Sequence, residues 1–325
     1  MSNPMNTLDR QELLVRAVKD ETPLIRSFEL VLDSGAELPP FEAGAHLAIH
    51  LGNGLTRQYS LFDAPGTGCS YRVAVLKDAA SRGGSMYMHD EVQVGDRIRV
   101  TGPGNNFPLA EEAATSVLIG GGIGVTPILS MALELHRQGA EFEMHYCARS
   151  AEDAAFVDWL RSEAPFRDRV QMHFDGGDPA RGLDVQALLA EVIEGRHLYC
   201  CGPGGLMDAV EAASSHWPAN AVHFERFKAS VVATAENQPF SVYLSRSGLE
   251  LEVPADKSVL RVLRENGFDI NTLCEEGVCG SCLTDVLDGE PEHRDQILSA
   301  DEKSLNDVMA VCCSRAKSSR LVLDL

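Results

Sequence analysis

Over the first hundred residues, apolar and polar positions alternate in short runs. Leu13-Leu-Val-Arg-Ala-Val-Lys, Ile25-Arg-Ser-Phe-Glu-Leu-Val-Leu, His46-Leu-Ala-Ile-His-Leu, Tyr71-Arg-Val-Ala-Val-Leu-Lys and Arg97-Ile-Arg-Val-Thr101 each fit a strand. Pro39-Pro40, Gly52-Asn-Gly54, Gly66-Thr-Gly68 and Gly95-Asp96 punctuate them. Short strands with turns at this interval predict a small antiparallel β-barrel over residues 1–109.

From residue 110 the pattern changes. Ser116-Val-Leu-Ile-Gly120 is a short apolar strand, followed by Gly121-Gly122-Ile-Gly124 and the helical run from Ile128 to Leu135. Thr126 is expected to cap that helix, Pro127 to open it and Gly139 to stop it. Strands at Phe142–Ala148, Val170–Phe174 and His197–Cys201 then alternate with helices at Ala155–Arg161, Val185–Ile193 and after Gly202-Pro203. Ala221–Phe227 reads as the last strand. Such alternation predicts a parallel sheet covered on both faces over residues 110–228, with ligands beyond the carboxyl ends of its strands. Residues 229–236 lack helical periodicity and read as a linker. In 237–325, a hairpin turns at Ser247-Gly248, and a helix runs from a Ser258 cap to a Gly267 stop. Strands at Leu283–Leu287 and Arg320–Leu325 complete a compact α+β unit.

Composition narrows the function. The hydrophobic share is 44%, enough for several cores, but no apolar run reaches the roughly 20 residues of a membrane span. The start lacks the apolar segment of a secretory signal, so nine cysteines suggest a reducing cytoplasm. A net charge of −20 argues against nucleic acid as a partner. It fits either plain solubility or steering toward a basic protein surface.

The cysteines carry the sharpest signal. Cys274, Cys279 and Cys282 follow a C-x4-C-x2-C spacing, with Cys312 far downstream. That is the plant-type ligand run for a 2Fe-2S cluster. Zinc sites more often use C-x2-C pairs. Gly277, Gly280 and Ser281 leave room for backbone N–H groups to approach cluster sulfurs, one of the terms that set a reduction potential. Cys313 competes with Cys312 for the fourth place; Cys312 fits the usual distance better, which leaves Cys313 as an ordinary core cysteine.

Two segments of the barrel point to a phosphate-bearing aromatic ligand. In Arg57-Gln58-Tyr59-Ser60, a guanidinium and an aromatic ring share one face of an extended segment, with Ser60 opposite. Arg82-Gly83-Gly84-Ser85 precedes a short helix and offers N–H groups to an anion. In the parallel module, the turns Gly121-Gly122 and Gly202-Pro203 lie at one sheet edge, so a dinucleotide could span both. The spacing there is not the G-x-G-x-x-G fingerprint. Cys201 ends its strand at that edge, whereas Cys200 alternates away from it toward a core.

This arrangement resembles the phthalate dioxygenase reductase family, the NADH-dependent flavin reductases that serve Rieske-type oxygenases. The likeness spans Pro40-Phe-Glu-Ala-Gly44, Arg57–Ser60, Arg82–Ser85, Gly120–Gly124 with Thr126-Pro127, Tyr199–Pro203, Val222-His-Phe-Glu225, the cysteine run, Glu292-His-Arg-Asp295 and the last five residues. The resemblance implies FMN at Arg57, Gln58, Tyr59, Ser60, Val75, Lys77 and Arg82, Gly83, Gly84 and Ser85. It implies NADH across Gly121, Gly122, Thr126, Cys201, Gly202 and Pro203, with Phe227 near the flavin. Gln58 stands where threonine is frequent in relatives, and its side chain is expected to point away from the ring. No acid–base residue is required. The expected partner is a separate oxygenase component and the expected state a monomer. Glu152-Asp153 would repel a 2′-phosphate and so favours NADH over NADPH, although Arg149 lies close by. An FAD-containing reductase with another acceptor, or a ferredoxin fusion that only carries electrons, is the competing class.

Overall fold

The computed structural model describes residues 11–79, 81–227, 237–270 and 272–325. The chain divides into two compact units, Met1–Glu225 and Arg226–Leu325. The expected linker, 229–236, lies outside the described residues.

The first unit begins with β1 (Gln11–Asp20), β2 (Ile25–Val31), β3 (Leu38–Phe41), β4 (Ala45–His50), β5 (Thr56–Ser60), β6 (Gly66–Gly68), β7 (Tyr71–Leu76), the helix α1 (Gly84–Asp90) and β8 (Arg97–Asn105). Six of these strands form an antiparallel sheet in the order β5-β4-β8-β1-β2-β7. A bridge between Leu61 and Val73 joins its two edge strands, so the sheet closes as the sequence predicts. Leu13, Val15, Phe28, Leu30, Leu47, Ile49 and Val100 fill the inside. They are the apolar half of each alternating run.

Next come β9 (Thr115–Gly121), α2 (Val125–Gln138), β10 (Glu141–Ala148), α3 (Val157–Ser162), β11 (Val170–Phe174), α4 (Val185–Leu189), β12 (Arg196–Cys201), α5 (Gly204–Ala213) and β13 (Val222–Glu225). The strands form a wholly parallel sheet in the order β11-β10-β9-β12-β13. α4 and α5 cover one face, over Val117, Ile119, Leu198 and Cys200. α2 covers the other. Its core, including Leu118, Ile128, Met131, Tyr146 and Tyr199, is continuous with Ile25, Phe62, Ala74 and Phe107 of the barrel. Barrel and parallel sheet are thus joined through one hydrophobic interior.

Several expected boundaries shift. Thr126 does not cap α2. Residues Gly122–Gly124 form a 3₁₀ turn, and the cap position falls on Gly124. Thr126 is already helical, buried, and its hydroxyl donates to the Ile123 carbonyl at 2.9 Å. α3 starts two residues later than predicted because Phe156 takes φ +64° to pack its ring on Phe62. α4 ends at Leu189, before the exposed Val192 and Ile193. β13 stops at Glu225, short of Phe227.

The second unit contains β14 (Phe240–Leu244), β15 (Leu249–Val253), α6 (Val259–Glu265), β16 (Leu283–Asp288), β17 (Pro291–Glu292), α7 (Ala300–Leu305), β18 (Val308–Ala310), β19 (Arg315–Ala316) and β20 (Arg320–Leu323). Its mixed sheet runs β15-β14-β20-β16-β18. Ser258 caps α6 as expected, accepting from the Arg261 N–H at 3.2 Å. Val259, Val262 and Leu263 of that helix pack on Val242, Leu244, Leu321 and Leu323.

Candidate functional site

Flavin-side residues gather around α1. β5 pairs with β4 so that Arg57 and Tyr59 lie opposite Ile49 and Leu47, and Gln58 and Ser60 opposite Ala48 and His46. Arg57 and Tyr59 therefore share the barrel side, with Ser60 on the other, as the alternation predicts. The stem of Arg57 lies on Gly84: a Cβ there would meet Arg57 Cγ at 2.6 Å. That contact brings the two anion-suited segments together. Gly83 takes φ +95°, a conformation that favours glycine. The Ser85 hydroxyl accepts from the Asp78 N–H at 3.2 Å, tying α1 to the segment after β7. The Val75 carbonyl accepts from His89 Nε2 at 2.8 Å. Lys77 Nζ pairs with Asp90 at 2.6 Å. Arg82 borders the same turn.

Gln58 turns away from Arg57 and Tyr59 and bonds His46 Nε2 at 2.7 Å. Burial lowers His46 to about 4, so the imidazole is neutral at pH 7. Burial also raises the Tyr59 hydroxyl, with Arg57 pulling weakly the other way, and keeps it a neutral phenol.

The nicotinamide-side glycines pack turn against turn. A Cβ on Gly124 would sit 2.3 Å from the Cys201 carbonyl oxygen, and one on Gly202 would sit 3.0 Å from Gly121 Cα. Gly122 and Gly204, in contrast, face open space. The result is a closely packed floor with exposed backbone above it, at the N-terminal ends of α2 and α5. An extended phosphate-containing ligand needs both. Cys201 is fully buried, and burial, then the neighbouring Glu225, push its thiol well up; it is a neutral thiol, not a nucleophile.

Glu225 is the residue that strand-by-strand reading passes over. It lies beside Cys201 in the parallel register and accepts from the Ser60 hydroxyl at 3.4 Å. Barrel and sheet thus meet in one polar contact between two expected ligand edges. Burial raises the Glu225 carboxyl to about 8 despite that bond, so it is protonated at pH 7. Its sequence signal is a carboxylate ending the short run Val222-His-Phe-Glu225, which carries the family likeness but assigns it no role. Phe227 is 37% exposed and follows β13, at the start of the second compact unit.

The cysteine loop is held by its own small residues. The Ser281 hydroxyl accepts from the Leu273 N–H at 2.9 Å and stands 3.1 Å from Cys279 Sγ. The Glu276 N–H donates to Cys274 Sγ at 3.3 Å. Gly277 and Gly280 adopt φ +74° and +76°. Cys274 interacts with Cys279, and Cys312 with both Cys282 and Cys313. These contacts lower the Cys279, Cys282 and Cys313 thiols and raise those of Cys274 and Cys312. Among the described residues no three such side chains converge on a single-ion site. N–H and O–H donors already aimed at sulfur suit an iron–sulfur group. Asp295, missed from sequence, braces the loop. Its carboxylate is buried and accepts from the Leu298 N–H at 3.0 Å, while the next residue, Gln296, donates its N–H to the Gly277 carbonyl at 2.9 Å.

Comparisons with known proteins agree with this geometry. Residues 242–317 match the 2Fe-2S iron-sulfur cluster binding domain. The chain is 48% identical over 316 residues to a vanillate O-demethylase oxidoreductase of Pseudomonas sp. (strain HR199), covering 97% of this chain and 99% of that protein. It is 45% identical over 302 residues to phthalate dioxygenase reductase of Burkholderia cepacia, covering 93% of each. A solved phthalate dioxygenase reductase, described as a modular structure for electron transfer from pyridine nucleotides to 2Fe-2S, superposes with a TM-score of 0.80 at 43% identity, covering 97% of this chain and 98% of that one. With barrel, parallel sheet and cysteine-bearing unit in the same order over nearly the full length of both, the chain belongs to the phthalate dioxygenase reductase family.

Proposed function

We propose that this protein is the reductase component of a multicomponent Rieske-type oxygenase or demethylase. It moves electrons from NADH through FMN and a 2Fe-2S cluster to a separate oxygenase protein. The observation that carries this reading is the cysteine loop, in which the Glu276 N–H donates to Cys274 Sγ and the Ser281 hydroxyl stands 3.1 Å from Cys279 Sγ, in a chain whose other unit brings Ser60 and Glu225 together between two ligand-suited edges.

The chemistry belongs to the cofactors: when bound, the flavin accepts the electron pair of a hydride and the cluster takes electrons one at a time. The protein positions and tunes. Arg57, with its stem on Gly84 and one guanidinium nitrogen donating to the Thr56 carbonyl at 2.7 Å, turns its other N–H groups to phosphate oxygens and holds the flavin tail together with Arg82, Gly83 and Ser85. Tyr59 and Val75 offer an apolar wall, with Lys77 at its margin. Gln58 serves by fixing His46 rather than by touching the ring. Gly121, Gly122, Thr126, Cys201, Gly202 and Pro203 seat the coenzyme. Phe227 is the residue proposed to guard the ring face. The buried, neutral Cys201 and Glu225 present an uncharged surface beside Ser60, which suits hydride transfer because no fixed charge opposes the changing charge on the nicotinamide. Glu152 and Asp153 favour NADH over its 2′-phosphorylated form.

No helix among the described residues is long and apolar enough to cross a membrane. A cytoplasmic, monomeric protein that docks on its oxygenase through complementary charge fits the acidic composition. Stopped-flow mixing with NADH tests the order: flavin bleaching precedes cluster bleaching. Cluster reduction by NADH in flavin-depleted protein would refute it. Mass measurement of the released flavin decides FMN against FAD.

A further inference from the structure

Four thiolates complete a 2Fe-2S cluster, yet a fifth thiol stands against them. Cys313 follows Cys312 in the turn after β18. Its own N–H and that of Ser314 both bond the Ala310 carbonyl, at 3.2 and 2.9 Å, which fixes the backbone of the turn. Its side chain touches the Cys312 thiol and lies in electrostatic reach of Cys282. The same sulfur faces the cysteine loop: a Cβ on Gly277 would sit 2.5 Å from Cys313 Sγ, so the loop is open where this sulfur enters it. Its other polar neighbours, Ala310 O and Ser314 Oγ, are both 3.9 Å away and tie it down weakly. Cys313 packs on one side against the hydrophobic core of its unit, as an inert cysteine would. It also sits between a ligand thiol and the ligand loop.

We propose that Cys313 is a reserve ligand, able to take the fourth position of the cluster when the sulfur of Cys312 is lost. In that exchange the Cys313 S–H releases its proton to solvent and one Fe–Sγ bond forms in place of the one Cys312 made. No electron is gained or lost. The inference rests on the iron–sulfur reading above and assigns Cys313 a role that cysteine spacing alone denies it.

The test compares the full-length wild type with Cys312→Ala, Cys313→Ala and the double variant, by iron and acid-labile sulfide content and by the electron paramagnetic resonance of the dithionite-reduced proteins. Cys313→Ala is expected to keep the wild-type spectrum. Cys312→Ala should retain about half or more of the wild-type iron and sulfide with shifted g-values, and the double variant under about a tenth. Equal loss in Cys312→Ala and the double variant overturns the proposal, as does loss of the cluster in Cys313→Ala. Should Cys312→Ala not accumulate, Cys312→Ser and Cys312→Ser/Cys313→Ala decide: identical spectra mean that the serine oxygen serves, and the proposal fails. A wild type without iron and sulfide would instead remove the iron–sulfur reading itself.

Discussion

The cysteine loop and the flavin–nicotinamide edge reach a working geometry by opposite routes. Three of the four proposed cluster ligands lie within nine consecutive residues, and the loop is braced by glycines at positive φ and by Ser281. The other site draws on Arg57 and Gly84 of the barrel and on Gly121, Cys201 and Glu225 of the sheet, two modules joined by a shared interior and by the Ser60–Glu225 bond. A locally written site is strict about ligand identity. A site assembled by packing is strict about space and burial. Substitutions should separate these sensitivities.

The largest effect belongs to the ligands. Cys274→Ala should abolish the cluster and cut NADH-driven reduction of a one-electron protein acceptor by about a hundredfold or more, while flavin reduction by NADH stays within about threefold of wild type. Parallel loss of both would contradict the separation of the two sites. At the packed edge the severe change is Gly124→Ala. Its Cβ would press on the backbone oxygen of Cys201, which cannot swing aside. We expect a loss of about 3 kcal/mol in urea unfolding of the first unit, and weaker NADH binding.

Burial makes this edge sensitive to pH in both directions. Glu225 has its pKa raised to about 8 in the folded protein, so between its ordinary value and 8 the folded state binds the extra proton. Stability therefore falls as pH rises through that window, by about 5 kcal/mol across it. Glu225→Gln should flatten this slope. His46 is lowered to about 4 and does the reverse: the unfolded chain takes the proton first, and stability falls as pH drops from about 6.5 toward 4. Urea midpoints across this range for wild type and Glu225→Gln check both signs. The mildest change is Gly84→Ala. It displaces only the flexible stem of Arg57 and should weaken flavin retention by about tenfold, read by ultrafiltration, with little effect on folding.

The same contrast explains what could be read in advance. The ligand run needed no fold to be legible, because its chemistry is set by spacing along the chain. Strands β1, β2, β4 and β7 were legible because they are short apolar and β-branched runs bounded by turn residues, even where, as in β4, both faces are buried. Thr126 misled because a cap is judged from neighbours in sequence. Here the chain wound into a 3₁₀ turn two residues earlier, so that Gly124 could pass under Cys201. Glu225 stayed hidden because its meaning depends on Ser60, a residue of another module, and on a depth of burial that no single strand reveals.

The hydrophobic interior common to barrel and parallel sheet also limits how such a chain could be rearranged. Cutting between β8 and β9 would leave Phe107, Leu118 and Tyr199 facing water on two sticky fragments. Natural recombination, and any engineer dividing this chain, would have to carry barrel and parallel sheet as one piece.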